Sequence, residues 1–299
     1  MVVLLAGGTG GAKLARGLQH EIGGELTVIA NTGDDVEIYN AYVSPDPDLV
    51  TFWLAGRIDE RGWGLAGDTF HVMDGLREFG EDVWFNLGDR DLALCLRRAR
   101  RLAEGATLTE AIDESRRALG VPARVLPMAD EPVRTKVRND AGVHAFQEFR
   151  IRERAAGPVR DVSLDGLERA RPTAQALEAI ATARAIVVGP SNPVISIGPI
   201  VALLREAIRE APAPVVAVSP LVRGAVLKGP TDAFLAWAGH PLSSDGIVDQ
   251  YAGLLDGLVA DERADALPTL VTDVEMGDDD ARRRVARETL AFAAALGGG

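Results

Sequence analysis

Residues 2–13 read VVLLAGGTGGAK, an apolar run followed by a loop rich in glycine. A short continuous apolar run is typical of a strand that is buried on both faces of a parallel sheet. Runs of the same kind recur along the chain, and we predict strands at Val2–Ala6, Leu26–Ala30, Val83–Phe85, Ala185–Val188, Val215–Ser219, Leu258–Ala260 and Thr269–Thr272. The first run and its glycine loop therefore predict a strand that opens a larger sheet.

Segments with helical periodicity lie between these runs. We predict helices at Ala12–His20, Thr69–Phe79, Asp91–Ala103, Thr109–Leu119, Ala174–Ala183, Ile200–Glu210, Thr231–Ala238 and Asp280–Leu296. Alternation of strand and helix favours right-handed crossovers in a sheet with helices on both faces. The predicted fold is α/β, with an open, doubly wound, mostly parallel (Rossmann-like) sheet.

One segment has a different pattern. Apolar and polar residues alternate in pieces of 124–162, for example in 144–152, HAFQEFRIR. Period-two alternation is the pattern of a half-exposed strand. We therefore predict a single domain over 1–299 that carries an inserted, mainly antiparallel subdomain at 124–162.

Composition limits the possible partners. The chain has 299 residues and a net charge of −12, which repels nucleic acid and anionic lipid at long range. Its single cysteine, Cys95, fits a reducing compartment, and no apolar run reaches the length of a membrane span. We expect a cytoplasmic protein that binds neither nucleic acid nor membrane, although a local basic pocket for a small anion is compatible with this charge.

The glycine loop is the first candidate binding site. Ligands of doubly wound sheets bind beyond the carboxyl ends of the strands, and a helix N-terminus favours phosphate. Neither common nucleotide motif is complete, because Lys13 stands where the third glycine of a dinucleotide fingerprint belongs, and Ala12 and Leu14 break the P-loop pattern. A phosphate cradle and a plain tight turn both remain open for this loop.

Acidic loops follow the next predicted strands. The loop 31–35, NTGDD, offers Asp34 and Asp35 to a divalent cation, although an Asx turn is the alternative. The segment 44–48, SPDPD, is again acidic. The loop 86–91, NLGDRD, begins a helix for which Asp91 is the expected N-cap.

Several other polar or aromatic positions accompany these loops. With Asp91 as the N-cap, Asp89 and Arg90 stay at the end of the strand, and we expect them to face the same crevice as Asp34. Asp68 is the expected N-cap of the helix that follows it, and Trp63, between two glycines, either stacks on a planar ring or covers the core. Residues 189–199, GPSNPVISIGP, supply short neutral donors before a helix. Together the loops predict a phosphate-bearing ligand with Mg²⁺, but no particular reaction.

The motifs GGTGGAKL, NTGDD, SPDPD, RGWG with GDTF, LGDRD and GPSNPVISIGPI occur in an order and spacing that resemble the 2-phospho-L-lactate transferase (CofD/FbiA) family of coenzyme F420 biosynthesis. The resemblance implies transfer of a phospho-linked three-carbon acid, 2-phospholactyl or enolpyruvyl-phosphate, from a guanosine diphosphate-linked donor to the deazaflavin Fo. GMP leaves, and the product is coenzyme F420-0 or its dehydro form. The resemblance also implies that this chain forms a homodimer.

The resemblance implies a role for each motif. Mg²⁺ would bind Asp34 and Asp35, and Asp34 or Asp48 would act as the catalytic base. The donor would bind Gly8, Thr9, Gly10, Gly11, Lys13, Ser191, Asn192 and Ser196. Fo would bind Asp48, Trp63, Asn86, Asp89 and Arg90. Asn86 departs from the pattern, since archaeal relatives tend to carry lysine there, and the acceptor contact at this position is correspondingly open.

Two other classes remain as alternatives. The YvcK-like gluconeogenesis factors, which resemble nucleotide-sugar-binding regulatory proteins, share a glycine-rich start and a downstream Asp-Asp pair. An NAD-type oxidoreductase is less favoured because the third glycine is missing. The identity of the three-carbon acid and the role of the insertion stay open.

Overall fold

The computed structural model describes residues 1–298. The strands are β1 (Val2–Ala6), β2 (Leu26–Ala30), β3 (Val36–Ile38), β4 (Ala41–Val43), β5 (Arg124–Pro127), β6 (Arg134–Asn139), β7 (Gly142–Ala145), β8 (Asp161–Asp165), β9 (Ala185–Val188), β10 (Val215–Val218), β11 (Leu221–Val222), β12 (Ala225–Val226), β13 (Gly257–Ala260) and β14 (Thr269–Val271). The α-helices are α1 (Gly8–Ile22), α2 (Pro45–Leu54), α3 (His71–Glu78), α4 (Asp89–Ala103), α5 (Leu108–Ala118), α6 (Phe146–Ile151), α7 (Ala174–Ala181), α8 (Gly198–Glu210), α9 (Thr231–Ala238), α10 (Ser244–Gln250) and α11 (Asp279–Gly297).

Seven parallel strands form the central sheet, in the order β14-β13-β10-β9-β1-β2-β5. The chain builds outward from β1 to β2 and β5, and then returns to build outward from β9 in the opposite direction. The order therefore reverses between β1 and β9, which is the switch point where open α/β sheets bind ligands. The predicted α/β, doubly wound, Rossmann-like architecture is confirmed.

Alternate residues of β1 face two separate cores. Val2 and Leu4 pack into the layer of α1, α2 and α11, whereas Val3 and Leu5 pack into the layer of α7 and α8. All five residues of this strand are buried. Burial on both faces explains why the strand is apolar throughout rather than alternating. None of the helices in residues 1–298 is both long and apolar enough to cross a membrane.

The prediction of a strand at Val83–Phe85 is wrong. This short segment lies outside the central sheet, and its half-buried apolar side chains pack on a separate small cluster around Met73 and Leu92. The strand that closes this side of the sheet is instead β5, which pairs with β2. The insertion predicted at 124–162 therefore includes one strand, β5, that belongs to the central sheet.

The inserted antiparallel sheet is present, with the order β7-β6-β8. The extended structure expected over 144–152 is wrong for its second part, because Phe146–Ile151 forms α6. Phe146 and Phe149 also have helical spacing, and both rings pack edge-on against Phe234 of α9, with centroids 6.4 and 6.2 Å apart. This tertiary contact selects the helix over the strand.

Helices α3 and α4 exchange their capping residues. The Asp68 carboxylate, expected to cap the helix that follows it, accepts the N–H groups of Arg90 and Asp91 in α4. Asp89 of α4 in turn accepts the N–H of His71 in α3 at 3.1 Å. The expected N-cap at Asp91 is therefore wrong, since α4 begins at Asp89 and its cap comes from Asp68, in the segment before α3.

Candidate functional site

A cleft of about 1070 Å³, counted out to its mouth, opens at the switch point between β1 and β9. The cleft is lined by the start of α1, the loop after β2, the start of α2, the loop after β9, α6 of the insertion and the loop that follows β12. Its walls therefore come from segments that are far apart in sequence.

The glycines at the start of α1 are required by contacts within the protein. Gly8 has φ +62°, a conformation that side chains rarely adopt. A Cβ on Gly10 would lie 1.9 Å from the carbonyl oxygen of Pro190, and one on Gly11 would lie 2.9 Å from the Cβ of Ala6. At Gly10, therefore, the loop after β9 lies so close to the backbone of α1 that no side chain fits between them.

Two side chains satisfy part of the α1 N-terminus. The N–H of Gly8 donates to Asp46 Oδ1 at 2.6 Å, and the N–H of Gly11 donates to Ser191 Oγ at 2.9 Å. In residues 1–298 no acceptor reaches the N–H groups of Thr9 and Gly10, and both residues line the cleft. These two donors at a helix N-terminus form a site for an anion.

Ser191 and Asn31 hold the loops together. Ser191 Oγ also donates to the carbonyl of Gly7, so this hydroxyl joins the β1 and β9 loops and has its hydrogen bonds within the protein. Asn31 is fully buried; its N–H donates to Ala6 O at 3.0 Å and its Nδ2 donates to Asp46 Oδ2 at 3.0 Å. Asn31 therefore fixes the Asp46 carboxylate at the base of the cleft.

The neighbouring carboxylates of Asp34 and Asp35 have different surroundings. Asp34 lines the cleft, and burial, followed by the nearby Asp46 carboxylate, raises the pKa of Asp34 well above its usual range. Asp35 does not line the cleft; Ser44 Oγ donates to it at 2.8 Å, and burial raises its pKa to about 7 despite the Arg134 guanidinium. Asp34 and Asp46 thus share the lining of the cleft, whereas Asp35 lies outside it.

Three basic side chains, Lys13, Arg150 and Lys228, line the same cleft. The pKa of Lys13 is lowered by burial and then by the positive charges of Arg282 and Lys228. The pKa of Lys228 is lowered by burial and by Arg150. Positive charges held this close to one another favour an anionic ligand, in contrast to the chain's net charge of −12.

The loop after β9 supplies one free donor. Asn192 Oδ1 accepts the N–H groups of Val194 and Ile195, at 3.0 and 3.2 Å, which orients the side chain. Its Nδ2 is buried and has no partner within the described chain, although Asn192 lines the cleft. A buried amide without a partner is costly, so this group is well suited to a ligand oxygen. Ser196 lines the same wall.

Asp48 lies outside the cleft. Arg98, fully buried on α4, contacts both carboxylate oxygens of Asp48 and also donates to the carbonyl of Tyr42 at 3.0 Å. Asp91 and Cys95 lie beside this ion pair. The geometry does not support Asp48 as an accessible base, because the Arg98 guanidinium binds both of its oxygens.

The residues predicted to contact Fo do not line the cleft. Trp63 is 50% exposed, and the Arg61 guanidinium lies 4.8 Å from its ring centroid. Its neighbour Gly62 approaches Thr9, so this loop runs beside the mouth of the cleft. Asn86 accepts a hydrogen bond from Arg77 at 2.7 Å. Asp89 accepts the N–H of His71 at the start of α3, and Arg90 is exposed.

The structure therefore divides the predicted site residues into two groups. It brings together Gly8, Thr9, Gly10, Lys13, Asp34, Ser191, Asn192 and Ser196, with Gly11 directly behind them. It leaves Asp35, Asp48, Trp63, Asn86, Asp89 and Arg90 outside the cleft lining.

Sequence reasoning missed Asp46, Phe146, Arg150 and Lys228. A proline and an acidic residue directly after Ser44 are a helix-start signal, and this signal could have identified Asp46 as part of a helix N-terminus rather than a turn. Arg150 and Phe146 had no comparable signal, because their segment was predicted as a strand. Lys228 lies on a loop whose course depends on the small β11–β12 hairpin.

Known proteins resemble this chain in sequence and in fold. The profile of the family described as 2-phospho-L-lactate transferase CofD matches residues 2–289. A phosphoenolpyruvate transferase of Kitasatospora aureofaciens is 40% identical over 310 residues, which cover 95% of this chain and 97% of that protein. A 2-phospho-L-lactate transferase of Methanopyrus kandleri is 40% identical over 301 residues, which cover 97% and 96%.

Among solved structures, a UPF0052 family member from Bacillus halodurans superposes with a TM-score of 0.64 at 17% identity, covering 97% of this chain and 98% of that one. At this identity the likeness is one of fold alone. The family profile and the two relatives at 40% identity extend over nearly the whole chain. The chain belongs to the CofD family of 2-phospho-L-lactate transferases.

Proposed function

We propose that this protein transfers a phospho-linked three-carbon acid from a guanosine diphosphate-linked donor to the deazaflavin Fo, with release of GMP. The observation that carries the proposal is the convergence, in one basic cleft, of the α1 N-terminus, Lys13 and the Asp34–Asp46 pair. A terminal hydroxyl of Fo forms the new O–P bond while the bond from that phosphorus to the GMP oxygen breaks. Such transfers depend mainly on positioning and on neutralisation of charge.

The residues present fit a Mg²⁺ ion. Asp34 Oδ1 is buried and has no hydrogen-bond partner within the described chain, and the Asp46 carboxylate lies near it. Oxygen ligands of this kind suit Mg²⁺, which when bound neutralises the charge of a diphosphate. We propose Asp34 and Asp46 as the protein ligands, in place of the Asp34–Asp35 pair expected from the sequence.

The donor would lie along α1 and the loop after β9. The free N–H groups of Thr9 and Gly10 and the ammonium of Lys13 face the same space and suit the diphosphate. Asn192 Nδ2 and the hydroxyl of Ser196, both on the loop after β9, line the same cleft and suit a phosphate oxygen or the guanosine. Ser191 contributes indirectly, because its hydroxyl holds the two loops together.

The acceptor hydroxyl needs a group that orients it. Of the two carboxylates predicted to be catalytic, only Asp34 lines the cleft, and we propose that it accepts the hydrogen bond of the attacking hydroxyl. We place the ring of Fo at the side of the mouth where the Trp63 loop runs past Thr9. Contacts of Fo with Asn86, Arg90 or Asp48 would need these segments to move.

The proposal extends to a cytoplasmic homodimer. A single, buried cysteine, Cys95, is compatible with a reducing compartment. Twofold dimers are the commonest protein oligomers, and light scattering on the purified protein measures the mass directly.

Turnover of Fo tests the proposed activity. Purified protein is incubated with Fo, Mg²⁺ and, in turn, the lactyl, enolpyruvyl and glyceryl esters of guanosine diphosphate, and the products are separated by chromatography. We expect one ester to give a phospho-linked Fo adduct and an equal amount of GMP. Chelation of Mg²⁺ and Asp34→Asn should each abolish the product. Retention of a UDP-sugar, with no reaction of Fo with any ester, would instead favour the nucleotide-sugar-binding alternative.

A further inference from the structure

Arg150 is a basic side chain of the cleft that none of the nucleotide-binding motifs supplies. It lies on α6, the helix of the inserted subdomain, one turn after Phe146, and both residues line the cleft. Phe149, directly before it, is buried against Phe234, with the ring centroids 6.2 Å apart. Packing of this aromatic pair fixes the face that α6 presents to the cleft, and Arg150 is part of that face.

No carboxylate of residues 1–298 lies within ion-pair distance of the Arg150 guanidinium. Its neighbours in the insertion differ, because Arg152 pairs with Asp82 and Arg160 pairs with Asp140. Arg150 nevertheless acts electrostatically on Asp34 and Asp46 across the cleft, where its charge lowers the pKa of both carboxyl groups. Arg150 is exposed and lines the same cleft as both carboxylates, without an ion-pair partner of its own in the described residues.

Lys13 and Arg150 enter the cleft from different elements. Lys13 lies on α1, the helix whose free N–H groups at Thr9 and Gly10 line the cleft, whereas Arg150 lies on α6 of the insertion. If the diphosphate lies along α1, the group beyond the reacting phosphorus can extend toward the α6 wall, where Arg150 lies.

On the basis of the proposed function, we infer that Arg150 binds the carboxylate of the three-carbon acid and selects donors that carry one. A guanidinium presents a planar fork of N–H donors that matches a carboxylate with two parallel hydrogen bonds, whereas a lysine offers only a point charge. The insertion thereby supplies the specificity for the acid, and the central sheet supplies the nucleotide site. This assigns a role to the subdomain that the sequence left open.

Binding of two esters to the intact protein tests the inference without turnover. The probes are the guanosine diphosphate ester of lactate and the corresponding isopropyl ester, in which a methyl group replaces the carboxylate. Both are measured by calorimetry with Mg²⁺ and without Fo. We expect the wild type to bind the lactate ester about 10- to 100-fold more tightly, the usual range for a hydrogen bond to a charged group. Arg150→Gln should reduce this preference to less than about threefold and leave GDP affinity within about threefold.

Two further variants complete the design. Arg138→Gln removes one exposed arginine from β6 of the same insertion and should keep the full preference. Arg150→Lys should keep part of the attraction but lose the fork, and it replaces Arg150→Gln if that variant does not fold. The inference is wrong if Arg150→Gln retains the preference, if it weakens GDP and both esters equally, or if the wild type shows no preference.

The outcome separates this inference from the proposed function. A wild type that binds the lactate ester selectively through Arg150 but never modifies Fo would overturn the proposed transfer and leave the carboxylate site standing. A wild type that modifies Fo with equal efficiency from both esters would support the transfer and overturn the role of Arg150.

Discussion

Asp46→Asn and Asp35→Asn are a matched pair of substitutions that tests which carboxylate shares the proposed Mg²⁺ site with Asp34. Each removes one buried carboxylate charge close to Asp34, and neither changes the size of the side chain appreciably. The sequence favours Asp35 because it is adjacent to Asp34, whereas the structure favours Asp46 because both line the cleft. Their effects on Mg²⁺ dependence should therefore differ.

The structural cost of Asp46→Asn follows from its two hydrogen bonds. Asp46 accepts the N–H of Gly8 at 2.6 Å and Asn31 Nδ2 at 3.0 Å, and asparagine keeps only one acceptor oxygen. One buried donor left without a partner costs about 1–3 kcal/mol. At roughly 2–4 °C per kcal/mol, the Tm should fall by about 2–12 °C, so the variant stays folded at assay temperature.

The functional cost should be larger. Loss of one of two carboxylates beside a divalent ion should cost more than the roughly 1.4 kcal/mol that equals a tenfold change in affinity. We expect the Mg²⁺ concentration that gives half-maximal turnover to rise at least about tenfold in Asp46→Asn. Asp35→Asn loses a carboxylate that faces Ser44 and Arg134, so it should alter stability but leave the Mg²⁺ requirement within about threefold.

The measurement is turnover of Fo as a function of Mg²⁺ concentration, with circular dichroism melts as the control for folding. Mn²⁺ bound to the protein, followed by electron paramagnetic resonance, gives the metal affinity without turnover. The reverse pattern, a raised requirement in Asp35→Asn and an unchanged one in Asp46→Asn, would refute the pairing of Asp34 with Asp46.

Three further predictions concern stability. Burial, and then the charge of Asp48, raises the pKa of Asp91 to about 7, so between about pH 4 and 7 the folded state keeps a proton that the unfolded state has lost. The free energy of unfolding should therefore fall by up to about 1.4 kcal/mol per unit between about pH 4 and 7, and Asp91→Asn should flatten this slope in urea titrations; an unchanged slope contradicts the assignment. Arg98→Leu leaves the Asp48 carboxylate buried without its partner and should cost about 3–5 kcal/mol in urea unfolding, with most of the loss recovered when Asp48 is also replaced by leucine. Asp89→Ala should speed hydrogen exchange at the N–H of His71, and unchanged exchange would show that the cap on α3 is dispensable.

The strands at the switch point were predictable because their burial is two-sided. Val2–Ala6 and Ala185–Val188 are apolar at every position, and both lie in the middle of the sheet. Such strands carry the fold signal in their own residues. Edge strands do not, since β5 ends in a proline and begins at a half-buried arginine, which reads equally well as part of an antiparallel insertion.

The loops of the cleft were predictable for a related reason. Residues Leu5 and Val188 are in register across β1 and β9, as are Ala6 and Ala30 across β1 and β2. Strands that end at the same level place their following loops side by side. The glycine loop, NTGDD and GPSNP meet because the sheet aligns the ends of the strands that precede them. The order of strands and motifs in the sequence was enough to predict that these loops share a cleft.

The chemistry of the cleft was less predictable because it depends on groups that do not follow strands of the central sheet. Asp46 reaches the cleft on the first turn of α2, where its carboxylate binds the N–H of Gly8 and the amide of Asn31. Asp35, one residue from Asp34, turns instead toward Ser44. Adjacent residues in a loop need not share a direction, whereas a carboxylate bound to the start of α1 is fixed in the cleft by that bond. Asp46, the proposed partner of Asp34 in the Mg²⁺ site, is thus held in the cleft by a hydrogen bond to the backbone of another loop. The spacing of residues in the sequence does not predict such a bond.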